Sequence, residues 1–183
     1  MRFEVLIAGM GGQGVILAGT IIGTAVTVFG DKLATQIASY GPEARGGRVY
    51  TQLVISDEEI DYPRVRSPDV VIAMSQRGFD EFAKMVREGG TVIYDEDLVE
   101  PHGGPDWAEL VPVPATRIAE ELGMRRSANM VMLGVLTALC DLLEPGPVKE
   151  AIRYRLGHRH LDINLRAFER GYELGLRLLE GRR

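Results

Sequence analysis

The sequence predicts an α/β fold: a single Rossmann-like domain, with a mixed, largely parallel sheet flanked by helices and a helical C-terminal layer. Three observations lead there. Short apolar runs, "FEVLIA", "DVVIA" and "TVIYD", alternate with helical patterns through about residue 95. A glycine loop, "GMGGQGV", stands between the first run and the first helical pattern, with Gly9, Gly11 and Gly14 in G-x-G-x-x-G spacing. After residue 95 helical patterns dominate.

The elements follow in order. "RFEVLIAG" reads as a buried strand ending at Gly9. "GVILAGTIIGTAVTVFG" is apolar nearly all round and carries small residues at Ala18, Gly19, Gly23 and Ala25, which suits a helix packed closely on a sheet and ending near Gly30. "KLATQIASY" is a second strand, and "GPEARGG" after it is loop chemistry. "RVYTQLVIS" alternates in part and is rich in β-branched residues, so it reads as a strand. "DEEIDYP" turns the chain, with "EIDY" expected as a short strand, and "PDVVIAM" is another buried strand. "SQRGFDEFAKMVREGG" has helical spacing at Phe79, Phe82, Met85 and Val86, and Gly89 stops it. "TVIYD" is a strand, and the Pro- and Gly-rich "EPHGGPDWAELVPVP" is a loop leading into a short edge strand. "ATRIAEELG" places Thr116 and Glu120 like a helix start. "SANMVMLGVLTALCDLL" is a long apolar helix, and "PVKEAIRYRLG" begins with Pro147 near its first turn. "DINLRAFERGYELGLRLLEGRR" is amphipathic through Ile163, Leu165, Phe168, Tyr172, Leu176 and Leu179. No repeat or boundary divides the chain, so residues 1–183 read as one domain.

Charge and composition exclude several functions. The formal net charge is -5, and no stretch concentrates Lys and Arg as a nucleic-acid surface requires. The apolar runs break well short of the ~20 residues a membrane span needs, and the N-terminus has no secretory pattern. The lone cysteine, Cys140, lies in an apolar run and reads as a buried, inert thiol. It fits a reducing cytoplasm. It also excludes an iron–sulfur cluster held by this chain alone, since such clusters need about four thiolates. His102, His158 and His160 are too scattered for a metal site, and none is expected.

The glycine loop sits where backbone N–H groups and a helix N-terminus favour an anion. An NAD site also needs an acid at the end of the second strand. Ser39 and Tyr40 stand there, and Asp31 precedes the strand. Arg45 leaves NADP open, and the residues alone leave three readings: NAD(P), another phosphate-bearing ligand, or a structural tight turn. No catalytic motif appears elsewhere; "DED" at residues 95–97 reads as a solvated turn rather than an acid–base pair.

Read together, "IAGMGGQGVILAG", "SYGPEARGG", "EIDYP", "PDVVIAMSQ", "ANMVMLG" and "NLRAFERGY" resemble the gamma subunit of 2-oxoacid:ferredoxin oxidoreductases, in order and over residues 3–175. "SYGPEARGG" is most similar to the 2-oxoglutarate enzymes, with pyruvate and branched-chain versions as alternatives. The resemblance implies a complex that joins a 2-oxoacid, coenzyme A (CoA) and oxidised ferredoxin to give acyl-CoA, carbon dioxide and reduced ferredoxin. It implies no catalytic residue here, with thiamine diphosphate and iron–sulfur clusters on partner chains and CoA as a co-substrate near this subunit. The implied partners are alpha and beta subunits, a delta subunit beside them, and ferredoxin. The apolar C-terminal helices also offer a surface for a homodimer of this chain.

The two loops are expected together, because the first and second strands of a Rossmann sheet are neighbours whose ends share the carboxyl edge. Gly9, Gly11, Gly12 and Gly14 supply close-approach backbone and Gln13 a side-chain amide. Opposite them stand Ser39, Tyr40, Gly41, Pro42, Gly46 and Gly47, with Arg45 as a planar cation suited to phosphate or carboxylate. These are the candidate cofactor-binding residues. An ion pair of Arg45 with Glu43 or a partner chain stays equally open. Asn129 is expected to cap or anchor a loop, and Asn164 and Tyr172 to pack the last helix.

Overall fold

Strand β1 (Arg2–Met10) is buried from residue 4 to residue 9, on both faces, as only a central strand can be. The computed structural model describes residues 1–42 and 46–182. It sets β1 in a six-stranded sheet with β2 (Leu33–Tyr40), β3 (Arg48–Ser56), β4 (Val70–Ala73), β5 (Thr91–Asp95) and β6 (Glu109–Val113), in the order β2-β3-β1-β4-β5-β6. β1, β4, β5 and β6 run parallel. β3 runs antiparallel to both β1 and β2, with Arg48 opposite Met10 and Val49 opposite Tyr40. The sheet is therefore mixed and largely parallel, as the sequence predicts.

One expectation fails in its reason but holds in its result. β1 and β2 are not neighbours, because the chain folds back after β2 and inserts β3 between them. Both are antiparallel to the same strand, so they remain parallel to each other and end at the same edge. The "EIDY" strand is also absent. That segment is held instead by side chains: Arg2 donates to the carbonyls of Tyr62 and Arg64 at 2.8 and 2.9 Å, and Gln52 accepts from the Val65 N–H at 3.0 Å.

Alternate residues of β1 enter different cores, following the two-residue strand period. Val5 and Ile7 pack with α1 (Val15–Thr27), α3 (Ala115–Glu121), α4 (Ala128–Leu139), α5 (Pro145–Leu156) and α6 (Leu161–Glu180). Leu6 and Ala8 pack with Phe79 and Phe82 of α2 (Gln76–Phe82), followed by the single turn Ala83–Met85. Boundaries shift where caps were misread. α5 starts at Pro145, two residues early, which leaves Pro147 in its first turn as expected. The capping position of α3 is Pro114, not Thr116. α4 stops at Leu139, because Cys140 is already extended.

α4 is buried all round from residue 128 to residue 137, and α6 lays Ala167, Phe168 and Gly171 against it. The two backbones nearly touch. A Cβ at Gly171 would run into the Val131 carbonyl, and one at Gly134 would lie 2.6 Å from the Tyr172 nitrogen. The apolar faces of the C-terminal helices thus meet within the chain. Among the described residues, no helix is long and apolar enough to cross a membrane.

Gly171→Ala forces a methyl group into that contact. It should cost about 1–3 kcal/mol or more, read as a lowered urea midpoint with an unchanged slope. An unchanged midpoint would mean the α4–α6 contact is looser than this packing.

Candidate functional site

The carboxyl edge carries the end of β1, and there the glycine loop turns into α1. Gly14 occupies the capping position of α1 in the left-handed region, at φ 72°, where a side chain would be strained. A Cβ there would also strike the Asn129 side chain, whose Nδ2 donates to the Gly14 carbonyl at 3.1 Å. Asn129 is therefore the loop anchor expected of it. At Gly9, a Cβ would meet Val15 at 2.9 Å and Met74 at 3.2 Å.

Gln13 uses its side-chain amide within the fold. Its Oε1 accepts from the Met10 N–H at 2.7 Å and its Nε2 donates to the Met74 carbonyl at 2.8 Å. Met10 ends β1 and Met74 follows β4, so the side chain bridges the crevice between these two parallel strands. From β1 the chain leaves toward α1, and from β4 toward α2, on the opposite face. This is the switch point at which α/β folds bind ligands, and here an internal amide spans it.

The β2–β3 hairpin meets the glycine loop directly. The Gly11 N–H donates to the Gly47 carbonyl at 2.8 Å, and a Cβ at Gly11 would lie 3.1 Å from the Gly46 nitrogen. The Gly41 N–H closes the hairpin on the Arg48 carbonyl at 2.6 Å. Ser39 is half-buried, Pro42 exposed, and Tyr40 is 71% exposed, projecting from the end of β2. Gly9, Gly11, Gly12, Gln13 and Gly14 thus stand together with Gly46 and Gly47. Arg45 lies outside the described residues.

The sheet order also explains the missing acid. In a dinucleotide site a parallel neighbour of β1 ends beside the glycine loop and brings the acid. Here that place belongs to β3, which begins rather than ends there. Its first residue is Arg48, ion-paired with Glu81 of α2.

A cavity of about 270 Å³ lies beside the loop, walled by Gly11, Gly12, Met74 and Thr116. Thr116 is held from behind. Its hydroxyl donates to Asp95 Oδ2 at 2.6 Å, while Asp95 Oδ1 accepts from the Asp97 N–H at 3.1 Å and Asp97 Oδ2 from the Arg117 N–H at 2.8 Å. "DED" is a solvated turn only at Glu96 and Asp97: Asp95 is wholly buried, and the carboxylates of Asp95 and Asp97 supply the start of α3 with the acceptors that Pro114 lacks. Burial pushes the Asp95 carboxyl above the usual carboxylate range, with the Thr116 hydrogen bond opposing. Burial likewise raises the Cys140 thiol, which lies far from the loop and reads as structural. Among the described residues, no group of three His, Cys, Asp or Glu is placed to hold a metal ion. Sequence reasoning passed over Met74 and read Thr116 only as part of a helix start. Met74 acts through its carbonyl and leaves no signal, whereas a carboxylate ending one strand and a hydroxyl opening the next helix is a readable pair.

Comparison with known proteins gives this edge a family. A model described as pyruvate ferredoxin/flavodoxin oxidoreductase matches residues 4–174, and the chain belongs to that family. The 2-oxoglutarate synthase subunit KorC of Methanocaldococcus jannaschii is 43% identical over 180 residues, covering 97% of this chain and 96% of that one. The fold matches the crystal structure of the gamma subunit of a keto/oxoacid ferredoxin oxidoreductase from Geobacter sulfurreducens, with a TM-score of 0.86, 31% identity and coverage of 97% and 98%. It also matches 2-oxoglutarate:ferredoxin oxidoreductase from Magnetococcus marinus, solved with 2-oxoglutarate, coenzyme A and succinyl-CoA bound. There the TM-score is 0.85 and identity 27%, over 95% of this chain and 31% of the longer one.

Gln13→Ala would leave the Met10 N–H and the Met74 carbonyl without partners, at a cost of about 1–3 kcal/mol in chemical denaturation. No loss would mean water replaces the bridge. Asp95 gives a pH dependence of defined sign. Its raised folded-state pKa means the native protein holds the proton more tightly, so this contribution to stability is present at acid pH. It fades as pH climbs from the ordinary carboxylate range through the raised value. Stability of the parent relative to Asp95→Asn should fall over that window; a flat difference would place the Asp95 pKa at its ordinary value.

Proposed function

We propose that this chain is the gamma subunit of a multisubunit 2-oxoglutarate:ferredoxin oxidoreductase. The reaction is 2-oxoglutarate, CoA and oxidised ferredoxin to succinyl-CoA, carbon dioxide and reduced ferredoxin. The observation that carries this reading is the end-to-end likeness to the KorC subunit, over nearly the full length of both chains. The chain's own inventory supports a division of labour. One buried thiol does not fit a cluster that needs about four, so electron transfer falls to partner chains, in the cytoplasm where that thiol stays reduced.

The paired loops are the working surface of this subunit. Gly9, Gly11, Gly12, Gln13 and Gly14 face Ser39, Tyr40, Gly41, Pro42, Gly46 and Gly47 across one edge, and CoA or an alpha- or beta-subunit surface approaches them. The glycines let that visitor reach backbone donors, Tyr40 offers an exposed ring, and Gln13 keeps the platform rigid rather than touching the ligand.

Reconstitution tests the assignment. The purified chain should show no turnover alone, and adding alpha, beta and delta subunits should give CoA-dependent reduction of ferredoxin with 2-oxoglutarate preferred over pyruvate and 2-oxoisovalerate. Turnover by the single chain, or a reconstituted complex indifferent to this subunit, would overturn it.

A further inference from the structure

The sheet ends in β2 on one side and β6 on the other, and only β6 is guarded. β6 is five residues long and carries Pro112, and Glu109 at its start pairs with Arg182 at 2.6 Å. Short length, proline and charge keep an edge strand from pairing with another chain. β2 has none of these devices. Its eight residues, "LATQIASY", include no charge, no proline and no glycine. Both its ends expose large apolar side chains, Leu33 at 49% and Tyr40 at 71%.

The main-chain groups of β2 alternate in direction. The Gly41 N–H donates to the Arg48 carbonyl, and the register runs on from Tyr40 opposite Val49 to Leu33 opposite Ser56. In an antiparallel ladder, opposed residues alternate between hydrogen-bonded and non-hydrogen-bonded pairs. Leu33, Thr35, Ile37 and Ser39 therefore turn their N–H and C=O groups toward β3, whereas Ala34, Gln36, Ala38 and Tyr40 turn theirs outward. Side chains leave that row open. Gln36 folds its amide back over the sheet, donating to the Ile16 carbonyl at 3.1 Å and to the Thr51 hydroxyl at 2.9 Å. Ala38 is exposed and brings only a methyl group.

We propose that the β2 edge is an interaction surface for a second copy of this chain, paired antiparallel about a two-fold axis at Ile37. Such an axis, normal to the sheet, sets Ala34 opposite Tyr40 of the second copy, Thr35 opposite its Ser39, Gln36 opposite its Ala38, and Ile37 opposite itself. Outward groups then meet outward groups, and two six-stranded sheets become one. The side chains match as cross-strand pairs: a ring over a methyl group, hydroxyl beside hydroxyl, and two Ile37 side chains at the centre. Neutrality is what makes a second copy the fitting occupant. A two-fold contact is self-complementary and brings residues near the axis against their own copies, so a charge at the centre of β2 would face a like charge. The strand carries none. The antiparallel pairing sends the two glycine loops to opposite ends of the joined sheet, which leaves both open and makes this surface independent of the subunit assignment.

Sedimentation equilibrium of the full chain tests it. One strand pair buries less than the roughly 1,200–2,000 Å² of a standard interface, so a reversible dimer with a Kd of about 1–100 µM is expected. Ala38→Pro removes an outward N–H without touching the ladder to β3 and should leave a monomer over that range. Glu109→Ala, on the other edge, should leave the dimer unchanged. Ile37→Cys provides a second reading that keeps the strand intact. Mild oxidation should link it to its own copy across the axis, while Thr35→Cys, off the axis, should not link. An unchanged far-UV circular dichroism spectrum verifies the fold of each variant. A parent chain that stays monomeric, a dimer that survives Ala38→Pro, or equal linking at positions 35 and 37 would each overturn the proposal. If the parent is monomeric and Ala38→Pro instead blocks assembly with alpha and beta subunits, the edge belongs to a partner's strand; the proposal then falls and the subunit assignment stands.

Discussion

The antiparallel insertion of β3 is the constraint on which the working edge depends. Pairing with β1 on one side and β2 on the other fixes both strands in one direction and puts both loops at one end of the sheet. The hydrogen bond from Gly11 to Gly47 then closes the two loops on each other. A parallel strand in that slot would end there and could bring a ribose-binding acid. β3 begins there and brings Arg48 instead, so one topological choice both removes the dinucleotide site and builds the paired surface.

Buried and half-buried polar side chains fix that surface from behind. Gln13 ties β1 to β4, Asn129 ties α4 to the capping residue of α1, Asn164 ties α6 to the turn before it, and Asp95 ties β5 to α3. Every buried side-chain polar atom among the described residues has a partner. Low local dielectric makes each such bond strong and its loss expensive. The edge is therefore preorganised.

Much of this was legible in the sequence. β1, β4 and β5 announce themselves because they are buried on both faces and read as continuous apolar runs, and the glycine loop is local. The sheet order was not legible: a hairpin that returns along β1 and a crossover that skips past it share the same strand and turn signals. Asp95 was misread for a related reason. Three consecutive acids look solvated until the start of α3, twenty residues on, is brought against them.

The central claim is that the carboxyl edge meets the rest of the complex. Hydrogen exchange measures it most directly, comparing the chain alone with the chain in the assembled enzyme, with and without CoA. The account predicts new protection at residues 9–14, 39–42 and 46–47 on assembly or on CoA addition, and none at residues 57–69 on the opposite edge. Protection confined to that opposite edge, with the paired loops exchanging as freely in the complex as in the isolated chain, would contradict it.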